Sequence, residues 1–176
     1  MSEDIRPDPA AGGSDAPEAE AGSGERLFLV VVDDTEEMRN ALHFACRRAE
    51  RTGGRVAMVY VIEPAEFQHW LGVERVMQDE ARETAEQTLQ SLAAKAQAMT
   101  GKMPALYIRE GRRRDEVLAL IEEEPSISVV VLGTASDRQD PGPLVNYLIT
   151  RMSDEMRVPL TLVPGQLSEA EIDQLT

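Results

Sequence analysis

Apolar positions along this chain follow two alternating rhythms. Short, nearly continuous runs rich in Val, Ile and Leu mark strands buried on both faces, and longer stretches with apolar residues three and four apart mark helices. The pattern predicts a first strand at Leu27–Val32 and a helix from about Glu36 to Thr52, with Met38, Ala41, Leu42, Ala45 and Ala49 facing inward. Thr35 or Asp34 is placed to cap that helix, Glu36 and Glu37 suit its positive end, and Gly53-Gly54 stops it. A second strand covers Val56–Ile62. An irregular segment with Phe67, His69 and Trp70 leads into a long helix from about Glu74 to Met99, with Met77, Ala81, Ala85, Leu89, Leu92, Ala96 and Met99 as its apolar stripe. A weak strand at Ala105–Arg109 precedes a helix at Arg113–Glu123, facing inward through Val117, Leu118, Leu120 and Ile121. The fourth strand is Ile127–Leu132, the fourth helix lies between Pro143 and Met156, and the fifth strand is Pro159–Val163. Five strands joined by helices give a single doubly wound α/β domain, with a parallel sheet, right-handed crossovers and helices on both faces.

The ends of the chain have no such rhythm. Residues 1–25 carry seven acids and one base and almost nothing to bury, which predicts a disordered acidic tail before a domain spanning 26–164. Residues 165–176 form a short acidic tail with the makings of a helix. Ser168 is a good N-cap, Glu171 completes a capping-box pattern, and Leu167, Ile172 and Leu175 are apolar. So short a helix needs a surface, either its own domain or a partner.

Charge narrows the function classes. Of the net −14, the two tails account for −6 and −3, leaving −5 on residues 26–164. An acidic domain with acidic tails repels nucleic acid and anionic lipid, so neither is expected as a partner. No apolar run approaches the ~20 residues of a membrane span, and the acidic start lacks the apolar core of a secretion signal. Cys46 is the only cysteine and sits among apolar neighbours, so it reads as a small buried hydrophobe. A reducing cytoplasm fits these features. His43 and Cys46 share a helical face without a third metal ligand. The chain has no G-x-S-x-G elbow, no Walker lysine loop and no C-x-x-C, so no enzyme is expected.

Several segments carry a resemblance. They are Asp33-x-Thr35 after the first strand, Tyr60-Val61-Ile62 shortly before a proline, Glu110-Gly111 before the third helix, and Val129-Val130-Val131-Leu132-Gly133-Thr134 with the spacing that follows. Together they resemble the universal stress protein family, whose ATP-binding members carry G-x-x-G-x9-G-[ST] after the fourth strand. The resemblance covers residues 26–164. It implies the strand order 3-2-1-4-5, with a crevice between the carboxyl ends of strands one and four. It implies nucleotide contacts at Asp33, Val61, Leu132 and Gly133, and a homodimer paired along strand five. Only the first loop glycine is kept. Ser136 replaces the second, and Asn146-Tyr147 stand in place of Gly-Ser.

Physical chemistry bears on each departure. Backbone N–H groups at a helix start hold phosphates, and glycines let them come close. Ser136 can still donate through its hydroxyl, and Asn146 can take a positive φ or cap a helix. Tyr147 puts a phenol ring where a phosphate would lie, and Asp137 and Asp140 add like charge. ATP binding is therefore expected to be weak or lost, and the chain to act through contacts with an unknown protein partner. The alternative is a switch with ATP or AMP in the crevice. Asp33 reads equally well as a helix cap. His69 and Trp70 lie on the ligand side, where Trp70 suits packing under the next helix. Arg112-Arg113-Arg114, followed by Asp115 and Glu116, read as a solvated charge run on an edge strand away from the crevice.

Overall fold

Leu27–Val32 form strand β1, and all six residues are buried, as a strand covered on both faces must be. This computed structural model describes residues 25–64, 71–135, 141–151 and 156–176, with residues 71–75 as backbone only. After β1 come α1 (Glu36–Thr52), β2 (Arg55–Ile62), α2 (Leu71–Thr100), β3 (Ala105–Glu110) and α3 (Arg113–Glu123). β4 (Ile127–Thr134), α4 (Pro143–Arg151), β5 (Leu160–Pro164) and α5 (Glu169–Leu175) complete the order. The five strands form one parallel sheet in the order β3-β2-β1-β4-β5. Odd and even residues of β1 point to opposite faces. Phe28, Val30 and Val32 pack with α1 and α2, while Leu29 and Val31 pack with α3 and α4.

The cap of α1 is Thr35, whose hydroxyl accepts from the Met38 N–H at 3.2 Å. Gly53, at φ 72°, ends the helix in the left-handed conformation. Cys46 is fully buried, and desolvation pushes its thiol up to about 12.

Three expectations need correction. Met77 does not belong to a buried stripe: it is 48% exposed, and full burial on α2 begins only at Ala85. An apolar stripe names a helix face but not where its cover ends, so periodicity does not place this boundary. β4 continues through Gly133 to Thr134, because β5 pairs with it to that point. β5 itself starts at Leu160, and Pro159, lacking an N–H, joins only through its carbonyl, which accepts from Val130 N–H at 3.0 Å.

The short helix α5 finds its surface on its own domain. Ser168 and Glu171 form the reciprocal capping box, and Ile172 is fully buried in the layer that holds α1 and α2. Asp173 pairs with His43 at 2.8 Å and with Arg47 at 2.7 Å. The Asn40 amide donates to the carbonyls of Gly165 and Leu167, both at 2.9 Å, and fixes the turn that leads into α5.

Two cations tie the joints at the amino-terminal ends of the strands. Lys102 Nζ donates to the carboxylate of Glu25 at 2.6 Å and to the Gly53 carbonyl at 2.8 Å. The Arg157 guanidinium donates to the carbonyls of Ile121 and Ile127, each at 3.0 Å, and of Glu124 at 2.6 Å.

Candidate functional site

At the other end of the sheet, β1 and β4 lie side by side but send α1 and α4 to opposite faces. Strand order reverses there, and a crevice opens beyond the strand ends. Its volume is about 820 Å³, within the range of small-molecule sites.

The floor depends on Gly133. A Cβ built there would lie 2.2 Å from the backbone oxygen of Glu37, in the first turn of α1. No side chain fits, so the glycine is required for helix and strand to touch, with or without a ligand. Leu132 beside it lines the cleft while only 5% exposed. Asp33 is not the cap of α1, a place that Thr35 takes, but its carboxylate lies between the turn and the cleft. One carboxylate oxygen accepts from the Thr35 N–H at 3.0 Å and hydroxyl at 2.6 Å, closing the turn into α1. The other faces the cleft, 3.9 Å from Arg113.

Val61 stays in the core layer shared with α3 and α4 and does not line the cleft. Ser136, Asp137 and Asp140, and likewise His69 and Trp70, lie outside the described residues. Asn146 takes neither role proposed for it. It is the fourth residue of α4, and its N–H donates to the Gly142 carbonyl at 3.0 Å within the helical ladder. Among the described residues every positive φ belongs to a glycine, and Gly142 supplies it here at 105°. The helix starts early because Pro143 suits a first helical position. As a result, the first residue of α4 offers no N–H to an anion.

Tyr147 lines the cleft, with the Arg114 guanidinium 5.2 Å and the Arg151 guanidinium 5.4 Å from its ring centre. Arg114 belongs to the run expected at a distant edge. Arg112, Arg113 and Arg114 all line the cleft instead. After β3 the chain turns back over β2. Gly111 N–H donates to the Ile62 carbonyl at 3.0 Å, and Arg113 N–H to the Glu63 carboxylate at 3.1 Å. Gly111 makes this turn at φ 150°, and a Cβ there would meet the Glu116 carboxylate at 2.6 Å. Among the described residues the cleft is lined by these three arginines and by the carboxylates of Asp33, Glu37 and Glu63, cations and anions in equal number.

Residues 26–163 match the model of the universal stress protein family. The chain belongs to this family. Among solved structures, a universal stress protein UspA from Lactobacillus plantarum superposes with a TM-score of 0.65 at 18% identity, covering 78% of this chain and 97% of that one. A universal stress protein in complex with cAMP gives 0.57 at 14% identity, over 80% and 98% of the two chains. A family protein from Arabidopsis thaliana with AMP bound gives 0.54 at 10% identity, over 79% and 91%. No curated protein matches significantly. As a universal stress protein the chain has the expected sheet order, and α5 lies beyond the matched residues. No described helix is long and apolar enough to cross a membrane.

Proposed function

We propose that this universal stress protein works in the cytoplasm as a homodimer, through contacts with a protein partner rather than by catalysis, and that its cleft no longer grips ATP. One observation carries the reading. α4 opens with Pro143, and Tyr147, one turn further on at the position where the family's ATP binders place Ser, lines the cleft with its ring flanked by two guanidiniums. A triphosphate would have to displace that ring and would find no N–H on the first helical residue. Calorimetric titration with magnesium-ATP is expected to show no binding tighter than about 100 μM, or about −5.5 kcal/mol. The triple change Ser136→Gly, Asn146→Gly and Tyr147→Ser should raise the affinity. A low-micromolar constant for the unaltered protein would refute the reading.

The dimer is proposed along β5, the edge strand on this side of the sheet, where Leu162 is 37% exposed. An unpaired apolar edge invites pairing with a second copy. Light scattering should report twice the 19.4 kDa of one chain, and Leu162→Lys should shift the population to monomer. A monomeric parent protein, or a dimer indifferent to Leu162→Lys, would rule out this interface.

A second reading is a switch operated by AMP or another adenine nucleotide in the same cleft. The cleft volume favours it, and so do the two family structures described with cAMP and AMP.

A further inference from the structure

The arginine run is a charged cluster in the cleft that lies outside the family's phosphate loop. Arg113 is held there by two long ion pairs, and among the described residues its side chain makes no hydrogen bond. Asp33 and Glu63 stand 3.9 and 3.8 Å from its terminal nitrogens, too far for hydrogen bonds, and its Nε is buried with no acceptor among the described residues. Arg112, exposed at the cleft mouth, makes no side-chain hydrogen bond or ion pair among the described residues, and it caps α3 without a side-chain bond. Arg114 is already engaged, lying over Tyr147 and 3.4 Å from Asp115, and forms wall rather than grip.

Two adjacent guanidiniums, one half-buried and one exposed, thus reach the same space from the positive end of an eleven-residue helix. Buried donors without acceptors are costly, and an anion that fills them relieves that cost. Two forks approaching from different depths suit a tetrahedral group with three terminal oxygens better than a planar carboxylate, which one fork can satisfy. Glu63 already places one carboxylate oxygen on the first N–H of α3, so this helix start does receive an anion.

We propose that the cleft binds a small phosphomonoester whose phosphate is held by Arg112 and Arg113 at the start of α3, not by the β4–α4 loop. The proposal shares with the nucleotide reading only that the cleft is a ligand site. It does not require an adenine.

The test is calorimetry on the full chain with four probes: AMP, adenosine, ribose 5-phosphate and inorganic phosphate. Arg112→Ala, Arg113→Lys and Arg113→Gln are compared, with thermal melting to confirm that each is folded. AMP and ribose 5-phosphate should both bind. Arg112→Ala and Arg113→Gln should each weaken them by about tenfold or more, and Arg113→Lys by less. Adenosine should bind weakly and not respond to either arginine change. If AMP is no tighter than ribose 5-phosphate, the nucleotide reading falls and this one stands. If AMP and adenosine bind equally, or if phosphate-dependent binding ignores both arginines, the arginine site is wrong while a nucleotide in the cleft survives. Failure of all four probes overturns the proposal. Arg112→Ala is the decisive variant, since among the described residues that side chain holds nothing else in place.

Discussion

Replacing Gly133 with alanine should destabilise the protein by about 3 kcal/mol, near the upper end for overpacking, and lower its melting temperature by roughly 6–12 °C. The added methyl would lie 2.2 Å from the Glu37 backbone oxygen, and a backbone atom cannot rotate away as a side-chain tip can. α1 must lift from β4, loosening the floor of the cleft. Gly142→Ala makes the control. Among the described residues nothing lies within 4 Å of its Cβ, so only the positive φ of 105° is penalised, at roughly 1–2 kcal/mol. Urea unfolding of both variants separates collision from strain. A Gly133→Ala protein that melts within about 2 °C of the parent would mean that α1 and β4 do not touch as described.

The second large effect is expected at the other end of the chain. Ile172→Ala should cost about 2–5 kcal/mol, the range for a large aliphatic side chain removed from a core, because Ile172 is fully buried. Hydrogen exchange should accelerate from Ser168 onward while the sheet stays protected. The same docking should weaken in acid. His43 first, then Arg47, hold the Asp173 carboxyl below the usual carboxylate range. A group whose pKa is lowered by folding contributes stability that is fully present above its unfolded value, near 4, and is lost as pH falls through the folded value. Exchange around α5 should therefore be slow at neutral pH and rise below about pH 4. A loss under about 1 kcal/mol for Ile172→Ala would show that α5 only rests on the surface.

Legibility differed with the kind of signal. Periodicity reads α1 and α3 to the residue, helped in α1 by Thr35 and Gly53, which act locally on their own turns. The strand order required the family resemblance, since period-two patterns do not say which neighbour a strand has. The arginine run was misplaced for the same reason. Its destination depends on Gly111 and Arg113 bonding to Ile62 and Glu63, about fifty residues earlier in the chain, and no local rule sees such a pair. Glu110-Gly111 was the available clue, a glycine where the chain must turn sharply. Asn146 falls inside α4 because Gly142-Pro143 starts the helix one turn before it, which motif spacing alone does not reveal. α5 was legible as a helix but not as part of the core, because the sequence names an apolar face without naming what covers it.

Lys102 and Arg157 have a mechanical consequence. Both bind carbonyls where one crossover ends and the next strand begins, and both sit at the end of the sheet away from the cleft. The sheet is thus riveted at its handle, like a folding fan, at the end opposite the cleft. Any breathing of the domain should swing α3 and α4 about that handle. The cleft would change width while the strands keep their pairing, and a binding event there could be felt along the helices without breaking the sheet.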